Sequence, residues 1–328
     1  KLNSTVKLTK FGDDWKKVVH GILHEYKVHN AEVLFREDVT PDQLIDVVEG
    51  NILNSGDVTR AVEDIDAAYY LVHSMYGGKD YDEVDRRAAN NFADHGGNLK
   101  RVIYLGGLVP EGGAVSKHLG SRAEVGQILR DRLPTTELRA GPIIGSGSAS
   151  FEMVRYLTER LPVMVAPKWV QNDVQPIAVR DMLSYLLAAL EKAPLGVVDV
   201  GCDVHSFKNM MMIYAAVRGF RRHIFSLPVL ASSLAARWVG LVTPIPNTLA
   251  VPLVQGVVKS LRGNLERARA EFPDIHPMPY RDAVERAITR TQEEQVESRW
   301  SDALGGSQGY ELSDREGIIQ ETQSIEVA

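Results

Sequence analysis

His118 and Arg122 lie four residues apart in HLGSR, a spacing that puts two side chains one turn apart on the same face of a helix. An imidazole titrates near neutral pH and can act as a general acid, whereas a guanidinium stays charged. The plainer reading of His118 is a surface histidine at a helix start. Three further stretches close apolar runs: Val72-His73-Ser74-Met75, Leu105-Gly106-Gly107 and Gly141-Pro142-Ile143-Ile144. In a doubly wound parallel sheet the ligand lies beyond the carboxyl ends of the strands. Glycine there lets the backbone approach a flat ring or a ribose. Any one of these glycines alone is turn chemistry; three such ends side by side describe a cleft.

The elements that would position these groups alternate. Short apolar β-branched runs are predicted as strands at 4–9, 31–35, 66–73, 101–107, 136–141 and 197–201. Amphipathic stretches are predicted as helices at 13–28, from Thr40 to about Val48, and at 80–94, 121–132 and 207–217. Such alternation is the signature of βαβ units and a parallel sheet. The expected fold class is therefore α/β, a doubly wound Rossmann-like sheet with a small, mostly helical region on the substrate side. The consecutive methionines Met210, Met211 and Met212 read as gap-filling core.

Bulk composition narrows the function. With 37 basic and 43 acidic residues the net charge is −6, which argues against a general nucleic-acid binder. The single cysteine, Cys202, excludes an internal disulfide and a cysteine-rich metal site, and it fits a reducing, cytoplasmic compartment. No metal site is expected. Lys1 to Lys17 is polar, without the apolar core of a secretory signal. The most apolar region, Trp238 to Val258, holds Pro244, Pro246 and Pro252, so it reads as a core-facing or pocket-covering hairpin and not a membrane span.

The segments EGNIL, DIDAAYYLVHSM, RVIYLGGLVPEG, HLGSRAEVGQILR, TELRAGPIIGSGSASFEMVRYLTERLPVM and QPIAVRDM follow one another over about residues 49 to 290. In that order they resemble the atypical short-chain dehydrogenase/reductase superfamily, specifically its NmrA-like NAD(P)-binding branch. The resemblance implies an NAD(P) cofactor held by Asn51, Ile52, Val72, His73, Ser74, Met75, Leu105, Gly106, Arg122, Gly141, Ile143 and Ile144. It implies an unknown small-molecule substrate near Gln175 and Arg180; Asp181 capping a helix with Arg180 solvated is the equal alternative. SGSAS (146–150) either caps a helix or contacts substrate. Carbonyl-reducing members carry Tyr-x-x-x-Lys, and here His118 stands where the tyrosine would and Arg122 where the lysine would. An NAD(P)-dependent oxidoreductase and a non-catalytic dinucleotide-sensing or scaffold protein are both compatible with that substitution. VESRWSDAL and DREGII resemble the opening of a domain that follows this branch, which makes 293–328 the expected start of a truncated domain.

The front of the chain departs from this pattern. The superfamily places a glycine-rich loop at its first strand–helix turn, where amides and a helix N-terminus meet the pyrophosphate. Here Thr9 to Trp15 reads TKFGDDW, with one glycine and two carboxylates. Residues 3–51, with HEYKVHNAEVLFRED and DQLIDVVEGN as their specific words, resemble an internal piece of the developmentally regulated GTP-binding proteins. Neither a GxxxxGK[ST] loop nor an Asn-Lys-x-Asp motif occurs in the chain. The expected organisation is a GTPase-like βαβα segment at 1–51 standing in for the first Rossmann unit, with Val6–Thr9 in the main sheet, followed by the NAD(P)-binding domain at 52–292. Arg36, just after AEVLF, stands about where an arginine reading a 2′-phosphate could sit, the one pointer toward NADP.

Overall fold

The computed structural model describes residues 3–7, 46–74, 80–110, 116–227, 242–245 and 247–292. The predicted elements at 13–28 and 31–35, together with Arg36, Met75 and residues 293–328, lie outside that set. At the front, β1 (Asn3–Lys7) and β2 (Asp46–Gly50) pair antiparallel, from Asn3 opposite Gly50 to Lys7 opposite Asp46. Then come α1 (Ser55–Val62), β3 (Ala67–Tyr70), α2 (Tyr81–His95), β4 (Arg101–Gly107), α3 (Lys117–Arg132) and β5 (Thr135–Ala140). A short β6 (Ile143–Ile144), α4 (Ala149–Arg160) and β7 (Val163–Pro167) lead through a 3-10 turn to β8 (Asp173–Val174) and β9 (Ile177–Ala178). The remainder is α5 (Val179–Glu191), β10 (Gly196–Val200), β11 (His205–Ser206), α6 (Phe207–Val217), β12 (His223–Leu227), α7 (Asn247–Val257), α8 (Glu266–Glu271) and α9 (Tyr280–Gln292).

The central sheet is four-stranded and parallel, in the order β10-β5-β4-β3. Strand β4 shows why. Its run RVIYLGG is apolar through the middle, as a strand covered on both faces must be. Alternate residues point to opposite sides. Val102 and Tyr104 pack with Val58, Phe92, Val125 and Leu129, so α1, α2 and α3 cover one face. Ile103 packs with Leu138, Val198, Met182, Leu186 and Phe272, so α5 and α8 cover the other. Each fully buried Ile or Leu contributes about 1.5–3 kcal/mol through burial alone. A third cluster joins α4, α6, α7 and α9 around Phe151, Tyr214, Val254 and Tyr280. These helices form the mostly helical region beside the sheet that the sequence predicts.

Two expectations for the front end are overturned. Residues 46–48 are strand, not the end of a helix from Thr40: Val47 and Val48 are β-branched, and β1 supplies hydrogen-bonding partners. The pair β1–β2 is a separate two-stranded sheet, so Val6 and Lys7 do not enter the four-stranded one. β1 and β2 pair antiparallel with each other, whereas a first Rossmann strand must run parallel beside β3. Among the described residues no strand pairs with the outer edge of β3, the edge where a doubly wound sheet reverses its order.

Candidate functional site

The sheet brings one group of predicted residues together. Helix α3 begins at Lys117, four residues before the predicted start, because the Ser116 side chain accepts from the Leu119 amide and caps it. That extension carries His118 and Arg122 on one helix beside the ends of β3 and β4. The Arg122 guanidinium donates to the Leu105 carbonyl and lies 5.9 Å from the Tyr104 ring centroid. The Tyr104 hydroxyl in turn donates to the Arg122 carbonyl at 3.0 Å. Arg122 is thus tied to the end of β4 through both its side chain and its backbone. Burial, then the charges of Arg122 and His73, push the His118 imidazole down to about 3. Burial and Arg122 push His73 down to about 4; its residue is solvent-exposed, so water screens part of that effect. Both shifts favour the neutral ring over the imidazolium, more firmly for His118 than for His73.

Beneath this pair lies a carboxyl that sequence reading passes over. Asp85 is buried on α2, and its Oδ2 accepts from the Ser121 hydroxyl at 3.1 Å. Burial raises its pKa, opposed by hydrogen bonding from Ser74 and Ser121 and by the Arg122 charge. The signal is positional. Asp85 falls on the stripe Tyr81, Asp85, Ala88, Ala89, Phe92 that α2 buries, where a solvated acid has no place.

The strand-end glycines are closely packed on the side that a side chain would take. A Cβ on Gly106 would meet Glu137 Oε1 at 2.9 Å, and one on Gly107 would meet Leu119 Cδ2 at 3.2 Å. One on Gly141 would meet the Gln175 carbonyl oxygen at 2.0 Å. Close packing of the chain against itself is thus what favours glycine at these three positions. Glu137 is fully buried on β5 and paired with Arg130 and with Arg139, whose Nε lies 2.8 Å from its Oε1. Gln175, expected at a substrate, is buried, with its amide committed to backbone. Its Nε2 donates to the Cys202 carbonyl at 2.8 Å and its Oε1 accepts from the Gly263 amide at 2.9 Å. Asn51 turns the chain after β2: its Oδ1 accepts from the Leu53 amide at 2.9 Å and its own amide donates to Asp57 at 2.8 Å. The Ile52 carbonyl accepts from Asn91 at 2.7 Å. Val72 packs on the cluster under α1 and α2.

A second cleft gathers Ile144 and Arg180 from two separate expectations. It opens where the parallel pair β6 and β9 ends, with Ile144 opposite Ala178. Ser146, Arg180, Met278 and Arg286 line it, and its space is about 260 Å³ including the part open to solvent. Among the described residues no cluster of His, Cys, Asp and Glu could hold a metal ion, and no helix is long and apolar enough to cross a membrane. Burial pushes the Cys202 thiol up, away from the thiolate form a nucleophile needs.

Comparison with known proteins separates the two parts of the chain. Residues 1–67 match a family described as the C-terminal region of MMR_HSR1 domain. Developmentally-regulated G-protein 2 of Arabidopsis thaliana is 61% identical over 49 residues, 15% of this chain and 12% of that protein. Developmentally-regulated GTP-binding protein 2 of Homo sapiens is 61% identical over 49 residues and is covered to 13%. The chain therefore spans about an eighth of the length of these curated relatives. By structure, UDP-glucose 4-epimerase from Thermotoga maritima aligns with a TM-score of 0.56 at 12% identity, over 75% of this chain and 84% of that one. WbmH of Bordetella bronchiseptica, solved with NAD+, aligns at 0.55 and 14% identity over 74% and 81%. The chain thus joins a segment similar to developmentally regulated GTP-binding proteins to a Rossmann-type α/β fold.

Proposed function

We propose that this chain is a non-catalytic, NmrA-like member of the NAD(P)-binding Rossmann proteins, a dinucleotide-sensing or scaffold module and not a working reductase. The observation that carries this reading is the state of the His118–Arg122 pair. Arg122 is engaged with Leu105 and Tyr104 and not turned outward to a ribose, and burial favours the neutral form of His118. A proton donor for carbonyl reduction needs a pKa near the working pH, and about 3 is far below it. The fold shared with proteins solved with NAD+ or NADPH is the reason a dinucleotide is the ligand to try first.

The second reading, an NAD(P)-dependent oxidoreductase on a small molecule, is favoured by one observation: α3 carries His118 and Arg122 at the spacing of Tyr-x-x-x-Lys, beside the strand ends. Titration with NADH and NADPH, followed by cofactor fluorescence, separates the readings. We expect binding in the millimolar range without carbonyl turnover. NAD(P)H oxidation that falls in both His118→Ala and Arg122→Ala would reject the non-catalytic reading.

A further inference from the structure

Strands β7 and β12 form a two-stranded parallel sheet of their own, with His223 opposite Val163 and Phe225 opposite Val165. Side chains alternate between the two faces of such a sheet. Met164, Ala166 and Ile224 are buried in the core beneath α4 and α6, so one face is covered. The other, solvated face of a sheet ordinarily carries polar residues. Here it carries Val163, Val165 and Phe225, which are 56%, 50% and 58% exposed. Three of the six large apolar side chains that are exposed among the described residues thus share one small face.

The charge beside this face is one-sided. The stretches 160–168 and 218–227, which hold the two strands and their flanks, contain Arg160, Lys168, Arg218, Arg221 and Arg222 and no carboxylate, in a chain whose net charge is −6. Arg160, Lys168 and Arg221 are exposed. Arg222 donates to the carbonyls of Thr158 and Glu159, which are neutral and leave its charge uncompensated. Arg218 is opposed by Glu159 at 3.6 Å. The arrangement is apolar in the middle and cationic at the strand ends. A bilayer with anionic lipids presents the matching order, negative head groups over an apolar interior.

We propose that the β7–β12 face docks on the surface of an anionic lipid bilayer. Val163, Val165 and Phe225 enter the boundary between head groups and acyl chains, and Arg160, Lys168, Arg221 and Arg222 lie against the head groups. The strand backbones need hydrogen-bonding partners, so they stay at head-group depth and only side chains go deeper. The contact is peripheral and involves neither His118 nor Arg122, so it stands apart from the dinucleotide reading.

The test is co-sedimentation of the full chain with vesicles of phosphatidylcholine and phosphatidylserine in equal parts, set against phosphatidylcholine alone. Saturable binding to the mixed vesicles, weakening as salt rises, is expected. Each cation near an anionic surface strengthens binding roughly fivefold, so Lys168→Gln and Arg221→Gln combined should weaken it by roughly 25-fold. Phe225→Ser should weaken it by roughly tenfold. Lys100→Gln, at an exposed lysine outside both stretches, should leave it unchanged. If Phe225→Ser loses its cooperative melt, Val163→Thr and Val165→Thr keep β-branched strand formers and should still weaken binding several-fold. No binding to the mixed vesicles, or equal affinity for the two kinds, overturns the proposal. So does undiminished binding in either the charge variant or all the apolar ones. A dimer that Phe225→Ser dissolves, without vesicle binding, gives the face to a second copy of the chain and overturns it as well.

Discussion

Helix α3 contains a matched pair of glycines. Gly120 and Gly126 both sit within it, and in a helix interior alanine is favoured over glycine by about 0.5–1 kcal/mol. A Cβ on Gly120 meets nothing within 4 Å, so Gly120→Ala should stabilise by about that amount. A Cβ on Gly126 would lie 2.5 Å from Glu137 Cδ and Oε2 and 2.6 Å from Oε1. Glu137 cannot swing into water: it has no exposed surface and is held by Arg130 and Arg139. Pushing it aside costs about 1–3 kcal/mol as overpacking, and about 3–5 kcal/mol if the buried pairing breaks. After subtracting the helix gain, Gly126→Ala should destabilise by up to about 2.5 kcal/mol if Glu137 shifts with its pairing intact and by about 2–4.5 kcal/mol if the pairing breaks. Urea unfolding followed by circular dichroism measures both variants against the parent chain. A Gly126→Ala chain as stable as Gly120→Ala would refute the packing of Glu137 against α3 described above.

Acid should weaken the fold through His118, whose pKa of about 3 lies below the ordinary 6.5. The unfolded chain binds the proton first, so stability falls as pH drops from about 6.5 toward 3, by at most about 1.4 kcal/mol per pH unit for this one group. Urea midpoints between pH 7 and pH 5 should fall less steeply in His118→Gln; identical slopes would reject the shift. Gly141→Ala puts a Cβ 2.0 Å from the Gln175 carbonyl oxygen, a backbone atom that cannot rotate away. The expected loss is about 3 kcal/mol, read as a lowered thermal midpoint, and an unchanged midpoint would contradict that approach. Ser121→Ala removes a donor to buried Asp85 and should cost about 1–3 kcal/mol in the same assay, an unchanged midpoint denying the bond its role.

Strands and helices set by local pattern were legible in the sequence. The run 101–107 is β4 and the run 207–217 is α6, residue for residue. Burial on both faces forces an apolar run in the first, and the second is a capped apolar helix. The pairing of Asp46–Gly50 was not legible, because it depends on a partner strand at the other end of the N-terminal segment. At the site, the sequence picked out His73, Ser74, Leu105, His118 and Arg122, which the fold does bring near one another. It could not tell that Arg122 would turn inward to a strand carbonyl. Gly106 and Gly141 read as room for a ligand, and the sequence could not tell that Glu137 and Gln175, from distant positions in the chain, pack on the side a Cβ would take. Arg286 escaped notice for the same reason: nothing local in AVERAITR (283–290) links it to Arg180, and only the docking of α9 near β6 and β9 does.

The order β3, β4, β5, β10 is also the order in which these strands leave the ribosome. Each new strand is laid on the same growing side, so the sheet can assemble during synthesis without waiting for sequence still to come or returning to an earlier edge. Non-local pairing slows folding because loop closure must precede the contact. Here each of the first two additions spans a single helix, and only the arrival of β10 must wait for a long intervening stretch. The half-sheet begun by β3 therefore has a folding route that owes nothing to the β1–β2 ribbon ahead of it.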